Sequence, residues 1–320
     1  MSLIDVFLST LNISLPVFAM VFIGIALKRL GWIDQAFVNT ASRLVFRATL
    51  PAMLFLSLIH ADLERTLNPW MLAFFALATI ASFVLAWGYA ALRVKRHQRG
   101  VYVQGAFRGN CGVVGLALAH GMYGEVGLSL GSLLLGVVIL CYNVLSVVVL
   151  AAYQLDEDGR RKAIDWNSIF RHILTNPLIL AVVVATPLAA LQVSLPEWIE
   201  TTGDYFASLT LPLALICIGA TISTRALKTS YRTAVSASLA KMVVIPLVAT
   251  LAALGLGFRG AELGVLFLFF ASPTAAAAFV MAKAMGGDEI LTANIIALTT
   301  LVASISVTVG VFALRLNGLI

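Results

Sequence analysis

RGVYVQGAFRGNCGVVGLALAHGMYG, residues Arg99 to Gly124, is apolar enough to enter a bilayer, yet Gly105, Gly109, Gly112 and Gly115 crowd its middle. A second stretch, RGAELGVLFLFFASPTAAAAFVMAKAMGG from Arg259 to Gly287, opens and closes in the same way. Its centre, Ser272-Pro273-Thr274, has the order of a helix start, with a serine as N-cap and a proline at the first helical position. Gly109-Asn110-Cys111 occupies the same place in the first stretch, and Asn110 can cap. Each break falls roughly 15 to 20 Å along its stretch, close to the bilayer midplane. Unwound backbone at that depth must be satisfied by protein, water or ligand. The half-helix after each break would present free N–H groups and a positive dipole end, and two such ends favour an anion.

The pairing of these stretches extends outward. Pro16 and Pro51 are 35 residues apart, as are Pro177 and Pro212, and Thr49-Leu50-Pro51 reappears as Thr210-Leu211-Pro212. Arg99-Gly100 matches Arg259-Gly260, and Gly121 to Glu125 (GMYGE) matches Ala284 to Asp288 (AMGGD). Between the halves runs the longest polar stretch, from Gln154 to His172.

Composition fixes the solvent. Of 320 residues 61 % are hydrophobic and 11 % charged, with a mean hydropathy of +1.00, against about 25 % charged in soluble domains. Apolar runs near 11–27, 37–59, 69–92, 100–122, 126–152, 169–191, 203–223, 231–255, 260–283 and 289–314 read as ten spans. They leave no room for a sizeable soluble domain, and a nucleic-acid module is excluded as the meaning of the +6 net charge. The charge sorts by membrane side instead. With the N-terminus outside, the inward loops hold Lys28, Arg29, Arg93, Lys95, Arg96, Arg99, Arg160, Arg161, Lys162, Arg171, Arg225, Lys228 and Arg232; the outward segments hold Arg65, Arg259 and Arg315. That asymmetry is a positive-inside signal, and ten spans return the C-terminus to the outside.

The expected fold is therefore an all-α integral membrane protein. Ten transmembrane helices form two inverted five-helix repeats, residues 1–153 and 169–320, joined by a cytoplasmic linker over 154–168. Five spans per repeat force the second copy to enter from the opposite face, the arrangement of secondary transporters. The N-terminus has Asp5, no basic leader and no A-x-A-like exit, so it reads as a retained first span. Cys111, Cys141 and Cys217 lie far apart in apolar runs and read as free thiols.

Five cations fall within spans, Arg43, Arg47, Arg108, Lys241 and Lys283, whereas every Asp and Glu maps to a loop or a span end. Arg43, Arg47 and Lys283 sit near cytoplasmic ends, where long side chains reach the surface. Arg108 directly precedes the first break and Lys241 lies near mid-depth, where a lone cation costs roughly 2.5–3.5 kcal/mol. With no internal carboxylate, backbone carbonyls or an anion from solution are their remaining partners. Asn143, also near mid-depth, can donate to a carboxylate without a charge cost, or tie helices together. The candidate substrate-binding residues are thus Arg108, Gly109, Asn110, Cys111, Gly112, Asn143, Lys241, Ser272, Pro273 and Thr274.

Leu50-Pro51-Ala52, the GNxGxxGLxL pattern from Gly109 to Leu118, and SPTAAAAFVMAKAMGGD from Ser272 to Asp288 resemble the auxin efflux carrier family over essentially the whole chain. The resemblance implies two inverted five-helix repeats, crossed discontinuous helices four and nine, and elevator-like alternating access. It also places Asn110 at the site of the substrate carboxylate, with Asn143 as a second amide. Where the family often has GxPL, this chain has Gly115-Leu116-Ala117-Leu118, so its first break rests on glycine alone.

The function expected is secondary transport or facilitated passage of small organic anions: mono- or dicarboxylates such as malonate or malate, or auxin-like acids. The partners expected are the anion and the lipid bilayer of the cell membrane, with no nucleic acid, no cofactor, Na+ or H+ as candidate coupling ion, and a homodimer as candidate assembly. A sodium/proton-type exchanger is the alternative, though that chemistry normally uses a buried carboxylate; a membrane receptor on a transporter fold is another. No H-E-x-x-H occurs in the spans, and an enzyme is not expected.

Overall fold

The computed structural model describes residues 3–60, 68–153, 171, 174–175, 177–221 and 231–320; the side chains of residues 3–14 and of Val280, Lys283 and Ala284 lie outside that description. So do the expected linker 154–168 and the loop cations Arg65, Arg160, Arg161, Lys162, Arg225 and Lys228. The regular elements among the described residues are helices: α1 Leu3–Arg29, α2 Gln35–Ile59, α3 Pro69–Arg93, α4 Arg96–Phe107, α5 Cys111–Tyr153, α6 Pro177–Ala190, α7 Glu197–Thr221, α8 Tyr231–Gly255, α9 Gly260–Phe270, α10 Ala277–Ala284 and α11 Glu289–Leu316. Six of them, α2, α3, α5, α7, α8 and α11, are long and apolar enough to cross a membrane, and α6 and α9 are apolar but shorter.

The starts are set by local chemistry. Asp34 accepts from Phe37 N at 2.7 Å, Asn68 accepts from Trp70 N and Met71 N ahead of Pro69, and Asp288 accepts from Leu291 N. α3, α8 and α11 begin and end within two residues of the apolar runs at 69–92, 231–255 and 289–314. α5 has 43 residues, roughly twice what one crossing needs, and bends sharply at Gly124. There φ is 58° and ψ is −139°, a conformation open essentially to glycine. The bend joins the runs at 100–122 and 126–152 without a longer loop.

α2 and α8 each widen into one π-turn, Val45–Thr49 and Ala240–Val244. Pro51 and Pro246 follow each turn by two residues. A proline has no N–H to give and its ring crowds the carbonyl four residues back, so a wider turn relieves both faults.

Outward faces of α3 (Leu77, Ile80, Val84, Leu85) and α8 (Leu247, Val248, Leu251) are exposed and apolar, as lipid contact requires. Packing within the bundle uses small residues. α1 lies against the second half of α7 at Gly24 and Gly219, where an added Cβ would strike the carbonyls of Ile216 and Val21. The large core gathers α3, α4, α5, α9 and α11, with Phe75, Phe107, Leu134, Phe269 and Ile295 almost wholly enclosed.

Candidate functional site

The two expected interruptions are present, and they meet. α4 ends at Phe107; Arg108 is extended (φ −82°, ψ 112°), and α5 starts only at Cys111. α9 ends at Phe270 and α10 starts at Ala277. Between these ends Gly109 forms an isolated antiparallel bridge with Thr274, and Asn110 N donates to Pro273 O at 2.7 Å. Two unwound segments thus satisfy one another's backbone groups inside the helix bundle. Thr274 Oγ1 donates to Gly105 O at 2.7 Å, and Thr274 N donates to Thr299 Oγ1 of α11 at 3.1 Å.

This pairing corrects one local expectation. Ser272 does not cap a helix that starts at Pro273; its Oγ turns back to Leu268 O at 2.8 Å and finishes α9. Pro273 and Thr274 are held extended by Asn110 and Gly109, so the helix resumes three residues past Thr274. On the other side Asn110 stands at the N-cap position of α5, but its side chain makes no cap bond. Asn110 O accepts from both Val114 N and Gly115 N, at 3.0 and 3.2 Å, which widens the first turn of α5 into a π-turn. The Asn110 amide is half-buried and has no bond to a described residue.

Close approach selects glycine here. A Cβ on Gly109 would stand 3.0 Å from Lys241 Nζ and 3.3 Å from Phe269 O, and one on Gly115 would stand 2.9 Å from Ser272 Oγ. Gly112 instead faces Leu135 farther along α5, at an ordinary 3.4 Å. Cys111 is buried, its thiol 3.3 Å from Phe269 O and 3.6 Å from Tyr142 Oη.

Two cations flank the crossing. Lys241, in the π-turn of α8, is 0 % exposed, and its Nζ donates to Phe270 O, the last carbonyl of α9, at 2.8 Å. It sits on the negative end of that helix. Arg108 is buried at the end of α4. Its Nη1 donates to Tyr142 O at 3.3 Å, Ser146 Oγ at 3.1 Å and Met281 Sδ at 2.9 Å, and its Nη2 donates to Asn143 Oδ1 at 3.1 Å. No carboxylate among the described residues bonds either cation. One cation is thus bonded to the C-terminal end of α9 and the other stands at the C-terminus of α4.

The structure therefore gathers Arg108, Gly109, Asn110, Cys111, Lys241, Ser272, Pro273 and Thr274 around one crossing, with Asn143 joined to it through Arg108; Gly112 lies to one side. Sequence reasoning missed Tyr142, Ser146, Met281 and Thr299. Each is an ordinary residue of an apolar helix, and only its partner across the bundle gives it meaning. Thr274→Val keeps the shape but orphans the Gly105 carbonyl. A loss of about 1–3 kcal/mol is expected, measured as a lower melting temperature in detergent than Thr308→Val shows.

Residues 11–311 match the family described as membrane transport protein. The chain belongs to that family. The transporter is 22 % identical to an uncharacterized transporter of Methanocaldococcus jannaschii, over 91 % of this chain and 94 % of that one. It is 25 % identical to an uncharacterized transporter of Methanothermobacter thermautotrophicus, over 94 % and 97 % of the two chains. A Rhizobium meliloti protein named "Putative malonate transporter" is 25 % identical over 95 % of this chain and 96 % of its own. The resemblance to auxin efflux carriers accordingly holds over nearly the whole length, and the transporter is a membrane protein.

Proposed function

We propose that the transporter moves small organic anions, mono- or dicarboxylates, across the cell membrane by alternating access. The observation that carries this reading is the pair of buried cations at the crossing, both bonded only to neutral acceptors among the described residues. An isolated buried charge is costly, and an anion from solution is the partner that relieves it. The carboxylate sits at the start of α5, held by the Asn110 amide and backbone N–H groups near Cys111 and Thr274, in the field of Lys241 and Arg108. The relative named for malonate suits this chemistry.

The accompanying architecture is ten crossings in two inverted repeats, 1–153 and 169–320, with both termini outside. One half carries the crossing past the other, and Na+ or H+ is the candidate coupling ion. In favour of this stand the two interruptions at matching repeat positions and the bend of α5 at Gly124. Sodium/proton exchange fits less well, because the described residues of the crossing include no carboxylate to carry the ion.

Counterflow of labelled malonate in proteoliposomes tests the proposal. Purified transporter is expected to exchange the anion, and Asn110→Ala to lower the rate at least tenfold while melting like the wild type. Exchange at the wild-type rate by Asn110→Ala removes the site from the crossing, and no exchange of any short carboxylate by the wild type removes the function.

A further inference from the structure

The two cations of the crossing are not equivalent. Lys241 is fully enclosed and holds one short bond to the end of α9, so its ammonium acts through its field. Arg108 carries five N–H donors in a fixed fork, and the structure engages them poorly. A thioether, a hydroxyl, an amide oxygen and a carbonyl at 3.3 Å share Nη1 and Nη2, and the buried Nε has no partner among the described residues. Every acceptor is neutral, whereas hydrogen bonds to a charged acceptor are roughly twice as strong and a carboxylate matches the fork with two parallel bonds. An orphaned guanidinium donor, enclosed beside a half-exposed amide, marks a place for an anionic oxygen.

Backbone geometry relates this place to Asn110. The segment from Arg108 is extended and Gly109 is paired in the bridge. Residues 108 and 110 are separated by Gly109 alone, so their Cα atoms lie no more than about 7 Å apart. Asn143, which holds the guanidinium from α5, is half-exposed, as Asn110 is. An amide and a cationic fork thus flank the same unwound segment.

We infer that Arg108, held by Asn143, reads a second carboxylate, so that the site takes a short dicarboxylate in preference to a monocarboxylate. This rests on the anion reading above and narrows it. One carboxylate lies at Asn110 and the start of α5; the other displaces the Met281 thioether from Arg108 and gives Nε an acceptor. A monocarboxylate fills only the first place and leaves the guanidinium with its neutral partners.

Malonate and its monomethyl ester differ by one charge at nearly constant shape, and their kcat/KM ratio in proteoliposomes tests the inference. Wild type is expected to favour malonate at least tenfold. Arg108→Met should bring the ratio to within about twofold of one, because malonate loses more than the ester. Arg108→Lys should fall between, since an ammonium keeps the charge without the fork. A melting curve for each variant separates misfolding from loss of selectivity. Should Arg108→Met fail to fold, Asn143→Ala, which frees the fork from its support, is expected to lower the ratio at least threefold. Equal loss of both substrates in the folded variants, or a wild type that treats the two alike, overturns the role of Arg108 while leaving anion transport in place. A wild type that moves neither of these substrates nor any other short carboxylate overturns both readings.

Discussion

Gly219→Leu is expected to yield no monodisperse protein from detergent extracts. At this point α7 lies against α1 so closely that even a methyl group on Gly219 would collide with the Val21 carbonyl, and Gly24 meets Ile216 in the same manner. The obstacle is backbone on both sides, so no rotamer change makes room. Over-packing of a tight core costs typically 1–3 kcal/mol for a few methylenes, and a leucine here demands that two helices part along their length. In lipid that seam is held by dispersion between small residues rather than by a hydrophobic effect, so separation is not compensated elsewhere. Gly219→Ala should give a partial loss, visible as reduced yield and a lower melting temperature. Gly88→Leu, at a position with open space on α3, is the control expected to behave as wild type. A monodisperse Gly219→Leu protein would mean that the α1–α7 contact is looser than described.

Lys241→Met is expected to fold and to transport malonate about thirtyfold more slowly. Two effects oppose each other in stability. Removing a buried ammonium relieves its desolvation, while the Phe270 carbonyl loses its partner at a cost of about 1–3 kcal/mol; the unbranched thioether occupies much the same volume. Function has no such offset. A unit charge about 7 Å from the bound carboxylate contributes roughly 2 kcal/mol at an effective dielectric constant near 20, which is about thirtyfold in binding. Because Lys241 is 0 % exposed, added salt screens it weakly, and the deficit should persist at high ionic strength. A deficit that disappears in salt would instead assign the effect to exposed cations such as Arg43 and Arg47.

Much of the molecule is legible in the chain alone. Apolar runs bounded by charged or capping residues locate α3, α8 and α11 to within two residues, because helix length and polarity answer to solvent and local capping. Glycines around Gly109 and the Ser272-Pro273-Thr274 sequence locate both interruptions, since these residues weaken the local hydrogen-bond ladder wherever the helix lies. The confinement of Asp and Glu to loops and span ends, set against Arg108 and Lys241, already states the excess positive charge.

Tertiary structure decided what that charge and those breaks do. Ser272 looks like a forward cap in one dimension, yet Gly109 and Asn110, more than 160 positions away, hold Pro273 and Thr274 extended, and the serine closes α9 instead. Lys241 and Arg108 are equal as entries in a charge count, but one is sealed against a helix end and the other shares weak acceptors from α5 and α10. Capping and hydropathy are properties of a few neighbouring residues and so are written in order along the chain. Pairing of Arg108 with Asn143, or of Thr274 with Thr299, depends on how rigid helices stack, and residues as ordinary as serine and threonine carry no mark of the partner that packing brings them.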